Sequence, residues 1–135
     1  MLLPKRVKYR RVQRGRMTGK AMRGNTVNQG QYGLVALEPA WITSNQIEAA
    51  RKAASRHLGK TGRMWIRVFP DRPITSKPAE VPMGGGKGDL DGYCMEVLPG
   101  RIIFEVDGVD AAVAREALRK AGTKLPLKTR VVERV

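Results

Sequence analysis

Residues 43–59, TSNQIEAARKAASRHLG, contain the signals for both ends of one helix. Thr43 and Gln46 have the spacing of a capping box, in which each side chain accepts a hydrogen bond from the other residue's backbone N–H. Gly59 can adopt the left-handed conformation that ends many helices. Between these signals the apolar residues recur at helical spacing, namely Ile47, Ala50, Ala54 and Leu58. The stretch therefore predicts an amphipathic helix over about 44–58.

Apolar runs on both sides of this helix are typical of strands. The predicted strands cover about 34–37, 63–69, 93–98, 101–106 and 127–135. Only Pro99-Gly100 separates the runs 93–98 and 101–106, so we expect these two strands to pair as an antiparallel hairpin. A second helix is predicted over about 111–121, with Asp110 as its cap and Gly122 as its end. The elements predict an α+β fold, two helices packed on a mainly antiparallel sheet, in a single domain of residues 1–135.

Residues 70–91 are predicted to form one long loop, because Pro70, Pro73 and a run of glycines interrupt regular structure. Loops of this length inside a domain are commonly functional. The run MGGGKG at 83–88 has the composition of a nucleotide-binding loop, but it lacks the strand-then-helix context of one. The same objection applies to Gly59-Lys60-Thr61, which follows a helix. We therefore interpret 83–88 as an arm that carries Lys87.

The first 37 residues carry nine basic side chains and no acidic one. These cations are Lys5, Arg6, Lys8, Arg10, Arg11, Arg14, Arg16, Lys20 and Arg23. They supply +9 of the formal net charge of +14. Unpaired like charges at this density oppose compaction until a polyanion neutralises them and releases its counterions. RNA or DNA is the predicted partner. A solvated or membrane-attracted charge run is the weaker alternative, since no amphipathic apolar face accompanies the cations.

Other classes of protein and site are disfavoured by the composition. Cys94 is the only cysteine, which excludes an intramolecular disulfide and is typical of a reducing cytosol. No segment has the apolar length of a signal peptide or a membrane span. Asp89, Asp91 and Glu96 could act as metal ligands of a nuclease, but their spacing is unspecific. His57 lies near a helix end, where a surface or capping role is commoner than catalysis. We expect no cofactor, no metal and no membrane partner.

Short motifs occur along nearly the whole chain in a constant order. They are MLLPKR (1–6), YRR (9–11), RGR (14–16), LEPAWIT (37–43), QIEAAR (46–51), WIRVFPD (65–71), KP (77–78), GKG (86–88) and KLP (124–126). Together they resemble the L-sixteen family of bacterial large-subunit ribosomal proteins. Each motif is weak alone, but coincidence does not produce so many of them in order.

The resemblance implies a protein that is not an enzyme, binds large-subunit rRNA and helps organise the tRNA A-site region near the peptidyl-transferase centre. The resemblance implies a basic rRNA-binding extension over residues 1–30, and the implied rRNA-binding residues are the nine cations above together with Arg51, Arg56, Arg63, Arg67 and Lys124. The loop implied to face tRNA contains Lys77, Pro82, Met83, Gly84, Gly85, Gly86, Lys87 and Gly88. Further expected partners are 5S rRNA and neighbouring ribosomal proteins, in the ribosome of the cytoplasm. A free-standing RNA or DNA chaperone is the alternative function.

The predicted loop also departs from the family pattern. Family members usually have Arg-Met-Gly-Lys or Arg-Met-Gly-Ser before Gly-Lys-Gly, whereas this chain has Pro82-Met-Gly-Gly85. At least one cation is therefore missing from the tip, and no modification of that family arginine can occur here. Contacts of the tip should depend more strongly on Lys87 and on backbone groups.

Overall fold

Two helices and two antiparallel sheets form the fold of residues 2–6, 19–76 and 89–134, which the computed structural model describes. In chain order the elements are β1 (Tyr32–Ala36), β2 (Ala40–Thr43), α1 (Ser44–Leu58), β3 (Arg63–Ile66), β4 (Arg72–Ser76), β5 (Asp89–Val97), β6 (Ile102–Asp107), α2 (Ala111–Gly122) and β7 (Thr129–Glu133). The predicted α+β class with two helices is confirmed. The described residues contain seven strands in two sheets, whereas the sequence patterns predicted five strands in one sheet.

The larger sheet has the strand order β3-β6-β1-β7 and supports the core. Leu34 of β1 lies opposite Phe104 of β6 on one side and opposite Val131 of β7 on the other. Every residue of β1 is buried, because the strand has a neighbour on each side and contacts α2. The two helices also pack against each other, and buried alanines from both, including Ala54 and Ala117, belong to the same core.

Helix α1 has the boundaries and the buried face that the sequence predicted. The Gln46 N–H donates to Thr43 Oγ1 at 3.3 Å, and the Thr43 N–H donates to Gln46 Oε1 at 2.9 Å, which completes the capping box. Gly59 follows with φ of 72° and ends the helix. All four residues of the predicted apolar stripe are buried. The ends of α1 are therefore specified locally.

Helix α2 is also present, but its predicted end signals act differently. Asp110 precedes the helix and makes no side-chain capping bond. Gly122 is the last helical residue, and Thr123 follows with φ of −67°, so no left-handed residue ends this helix. A Cβ on Gly122 would lie 2.4 Å from Thr129 Oγ1. A glycine is therefore needed at this position because β7 approaches it closely, and not because it ends the helix.

The predicted hairpin between 93–98 and 101–106 is wrong. Both runs are strands, but β5 pairs with β2 and β4, whereas β6 pairs with β1 and β3. The chain does turn at Pro99-Gly100, where Gly100 has φ of 95° and donates its N–H to the Ala36 carbonyl oxygen at 2.8 Å. The turn leads from one sheet to the other, because β6 is buried from Ile102 to Val106 between two strands of the larger sheet.

The prediction of one continuous loop over 70–91 is wrong at both ends. Residues Arg72–Ser76 form β4 and pair with the first part of β5, which begins at Asp89. Pro73 is accommodated in β4 because this strand is at the edge of the order β2-β5-β4, where a missing N–H can point away from the ladder. Three other strands differ from their predictions in their bounds, since β1 begins and ends earlier in the chain than predicted, and β3 and β7 are shorter than predicted.

Replacing Thr43 with alanine should lower the free energy of unfolding by about 1 kcal/mol, because the Gln46 N–H loses its acceptor. Denaturant unfolding followed by circular dichroism measures this change. The matched control is Thr61→Ala in the exposed turn after α1, which should change the same quantity by less than about 0.5 kcal/mol. Equal losses in the two variants would contradict the capping role.

Candidate nucleic-acid interface

The basic N-terminal segment is tied to the folded part of the chain on both sides of its densest run of charge. On the first side, the Ser44 hydroxyl at the start of α1 donates to the Leu2 carbonyl oxygen at 2.7 Å, and Leu2 packs against the core. On the second side, residues 19–31, here called the docked segment, contact β6 and its flanking turn. The cations between these two attachments lie outside the described residues, and they are Lys8, Arg10, Arg11, Arg14 and Arg16.

Backbone hydrogen bonds hold the docked segment beside the larger sheet. The Ile102 N–H donates to the Gly24 carbonyl oxygen at 2.7 Å, and the Gln31 N–H donates to the Val106 carbonyl oxygen at 3.0 Å. Gly24 has φ of 64°, a left-handed conformation that favours glycine. The two bonds are at opposite ends of β6, so the docked segment follows the length of this strand.

A buried carboxylate organises the middle of the docked segment. Glu105 of β6 is fully buried. Its Oε1 accepts from the backbone N–H groups of three consecutive residues, Asn28 at 2.9 Å, Gln29 at 2.8 Å and Gly30 at 2.9 Å. Its Oε2 accepts from Nη1 of Arg67. Consecutive N–H groups that converge in this way form a concave site for an anion, and here the chain supplies the anion itself.

Two arginines complete this arrangement, and we call Glu105, Arg67 and Arg101 the Glu105 clasp. Arg67 Nη1 also donates to the Thr26 carbonyl oxygen at 3.2 Å. Arg101 donates from Nη1 to the Arg23 carbonyl oxygen at 3.2 Å and from Nη2 to the Arg67 carbonyl oxygen at 2.8 Å. Burial, and then the charge of Arg67, lower the pKa of Arg101, but a guanidinium remains charged in proteins. The clasp thus holds the docked segment by hydrogen bonds to several of its backbone carbonyl and N–H groups.

The hydrogen bonds of the clasp stabilise the charged form of Glu105. Burial alone would raise the pKa of this carboxyl, because desolvation disfavours the charge. Hydrogen bonds from the Gly30 N–H, the Arg67 guanidinium and the Gln29 N–H outweigh the desolvation, and the pKa of Glu105 is lower than its ordinary value. The carboxylate is therefore ionised at neutral pH.

The other cations predicted to bind rRNA occupy different surroundings. Those that are exposed are Lys5, Arg6, Lys20, Arg23, Arg56, Arg63 and Lys124. Arg51 is half-buried, and its Nη2 lies 2.6 Å from Oε1 of Glu48, one helical turn earlier. Arg67 is largely buried in the clasp. The loop residues predicted to face tRNA, Lys77 and 82–88, lie outside the described residues.

Of the acidic residues considered as a nuclease site, Glu96 is engaged by a cation. Glu96 forms an ion pair with Arg72, with 2.7 Å between Oε1 and Nη1, and the Arg72 guanidinium lies 5.3 Å from the centroid of the Trp41 ring. Within 2–6, 19–76 and 89–134, no group of three or more His, Cys, Asp or Glu residues could hold a metal ion. Cys94 is buried, and burial raises the pKa of its thiol, which is the environment of an inert cysteine.

The sequence patterns did not identify Glu105 or Arg101 as important residues. A signal for Glu105 was present, because the run IIFEV at 102–106 places one acid among apolar residues in a predicted strand. An acid in such a position is rarely buried without a partner. The partners themselves are up to 77 residues away in sequence, so no local pattern connects them.

A strongly basic chain with clustered cations has the electrostatic footprint of proteins that bind nucleic acid. Residues 4–132 match the family described as Ribosomal protein L16p/L10e, and the chain belongs to this family. The predicted resemblance is confirmed. Membership gives the chain a structural role in the large ribosomal subunit, and proteins of this kind are typically structural and not catalytic. In the part of the chain that the structure describes, neither helix is long and apolar enough to cross a membrane.

Replacing Glu105 with glutamine should lower the free energy of unfolding at pH 7 by about 3 kcal/mol, since Arg67 then loses its buried counter-charge. The difference in the free energy of unfolding between the two proteins should become smaller at acidic pH. The lowered native pKa means that the unfolded chain takes up the proton first, so the stability from this group is complete above about pH 4.5 and is lost as pH falls through the native value. Denaturant unfolding between pH 3 and pH 7, on both proteins, measures the difference.

The matched control is Glu116→Gln, which removes an exposed acid that pairs with Arg119 on the surface of α2. Its unfolding midpoint at pH 7 should stay close to that of the unsubstituted protein, because exposed ion pairs contribute little. A Glu105→Gln protein as stable as this control would contradict the proposed role of the clasp.

Proposed function

We propose that this protein binds large-subunit rRNA chiefly through its basic N-terminal segment and helps organise the tRNA A-site region near the peptidyl-transferase centre. The observation that carries the proposal is the combination of family membership with an acid-free run of cations attached to the fold on both sides. On this proposal, 5S rRNA and neighbouring ribosomal proteins are further partners.

The attachment of the segment has an energetic consequence for RNA binding. A chain held at Leu2 and again at the docked segment has fewer conformations than a free tail of equal length. Less conformational entropy is then lost when RNA orders it, so more of the interaction energy remains as affinity. The favourable term is neutralisation of phosphates, which releases condensed counterions to the solvent.

Cations of the folded part extend the proposed interface. Arg56, Arg63 and Lys124 are exposed and available to phosphates. Arg51 would contribute while paired with Glu48, as part of a partly neutralised surface. Arg67 would act indirectly, because its guanidinium is committed to the clasp that positions the docked segment.

The loop proposed to face tRNA begins and ends on an ordered base. Ser76 at the end of β4 is paired with Asp89 at the start of β5, so the two ends of the loop are adjacent. This pairing brings the two residues that flank the loop together at one end of the β4–β5 pair. On this proposal Lys77 and Lys87 supply the cations that contact tRNA. Pro82 and Gly85 replace the basic residues usual in the family.

Replacing Arg10, Arg11, Arg14 and Arg16 with glutamine should reduce the slope of log affinity for large-subunit rRNA against log salt by about 3. Each phosphate-contacting cation contributes roughly 0.7–0.9 to this slope. Filter binding or fluorescence anisotropy at several salt concentrations measures it. Incorporation of the variant into large subunits should also fall.

The matched control removes four exposed cations elsewhere, as Lys52, Lys60, Arg119 and Lys128 to glutamine. In this control the slope of log affinity against log salt should fall by less than in the four-arginine variant. Equal slopes for the unsubstituted protein, the four-arginine variant and the control, with normal incorporation of the four-arginine variant, would refute the role of the basic N-terminal segment. Sedimentation tests the chaperone alternative, since the unsubstituted protein should migrate with large subunits after a moderate salt wash and not in light fractions.

Replacing both Lys77 and Lys87 with glutamine should weaken binding of aminoacyl-tRNA to the A site of reconstituted ribosomes roughly five- to tenfold. The physical reason is the loss of two cations near the tRNA backbone. Incorporation of the protein should be unchanged, because the basic segment is intact. The control is Lys60→Gln with Lys128→Gln, and tRNA binding equal to that of the control would exclude the proposed loop contact.

A further inference from the structure

The last turns of the two helices line a groove in which Arg56 and Lys124, two of the cations proposed to face rRNA, meet Lys120 and His57, which have no role so far. The groove has a volume of about 320 Å³, which is room for an anion much larger than one water molecule. It is lined by Ala53, Arg56, His57, Lys120, Thr123 and Lys124. We call it the helix-end groove.

The packing of α1 against α2 brings basic groups from both helices to this groove. His57 Nδ1 and Lys120 Nζ are 3.4 Å apart, although 63 residues separate them in sequence. An ammonium can only donate, so in this contact the imidazole nitrogen is the acceptor. Arg56 and Lys124 are exposed at the groove, whereas His57 and Lys120 are half-buried.

The electrostatics of the groove favour an anion. Among its lining residues there is no carboxylate. Glu116, one turn before Lys120, does not line the groove and is hydrogen-bonded to Arg119, with 2.6 Å between Oε1 and Nη2, and its carboxylate also interacts electrostatically with Lys120 and His57. The partial negative charges at the two helix C-termini offset part of the repulsion between the cations. Those charges explain cations in the last turns, but they do not explain why Arg56 and Lys124 open onto one cavity together with Lys120.

We propose that the helix-end groove binds one phosphate of the RNA backbone, with Arg56, Lys120 and Lys124 as direct contacts. Arginine offers paired N–H groups to phosphate oxygens, and the two lysines add charge and further donors. His57 forms the wall against which Lys120 is placed. The inference rests on the proposed binding of rRNA and adds a phosphate site that is separate from the basic segment.

The first experiment detects the site without RNA. His57 is the only histidine of the chain, so its ring gives one set of proton resonances. Titration of the full chain with inorganic phosphate at constant pH should shift these resonances to saturation. Sodium chloride of matched ionic strength should not do so. Lys120→Gln with Lys124→Gln should abolish saturation, whereas Lys52→Gln with Lys128→Gln should retain it. No saturable shift, or equal saturation in both double variants, would overturn the inference.

The second experiment tests whether the anion is RNA. The Lys120→Gln, Lys124→Gln protein should bind large-subunit rRNA about tenfold more weakly than the Lys52→Gln, Lys128→Gln control. The salt slope should fall by about 0.7–0.9 and not by twice that amount, because the two lysines share a single phosphate. Normal rRNA binding by the groove variant would overturn the inference and leave the proposed function intact. Failure of the unsubstituted protein to bind rRNA would reject the proposed function, and the inference with it, even if the phosphate titration succeeded.

Discussion

The buried carboxylate of Glu105 is the interaction on which the attachment of the basic segment depends. It brings one negative charge into the larger sheet and satisfies it with three consecutive N–H groups and a guanidinium. An ionised side chain without such partners would be costly to bury. Because the partners belong to the docked segment and to Arg67, the sheet cannot accommodate the charge unless that segment is in place. Folding of the sheet and docking of the segment are thereby coupled.

Positive charge has two different roles in this chain, one inside the fold and one at its surface. Arg67 and Arg101 point into the fold, where they hold carbonyl oxygens of the docked segment. The exposed cations on α1, β3 and the turn after α2 project to the surface, where a phosphate can reach them. The net charge of +14 alone does not reveal this division. It explains how a chain that is so basic can still form a closely packed core of strands and helices.

Sequence patterns predicted the features that neighbouring residues determine. They did not predict the features that depend on contacts between distant parts of the chain. Helix α1 was predicted to the residue because its capping box and Gly59 lie within or next to it. The strands around Pro99-Gly100 were found, but their pairing was wrong, because the choice between a hairpin and two sheets depends on β1 and β3. Gly122 was misinterpreted for the same reason, since its neighbour Thr129 belongs to another element. The exposed cations could be predicted from composition, whereas the clasp needed contacts across the sheet.

Amide hydrogen exchange of the docked segment measures whether Glu105 holds this segment to the larger sheet. The N–H groups of Asn28, Gln29 and Gly30 donate to a buried carboxylate, so in the isolated full-length protein they should exchange as slowly as amides of β1 and β6. Exchange of these three amides at the rate of an unstructured chain, while β6 remains protected, would contradict the account. It would mean that Glu105 is buried without holding the basic segment to the fold.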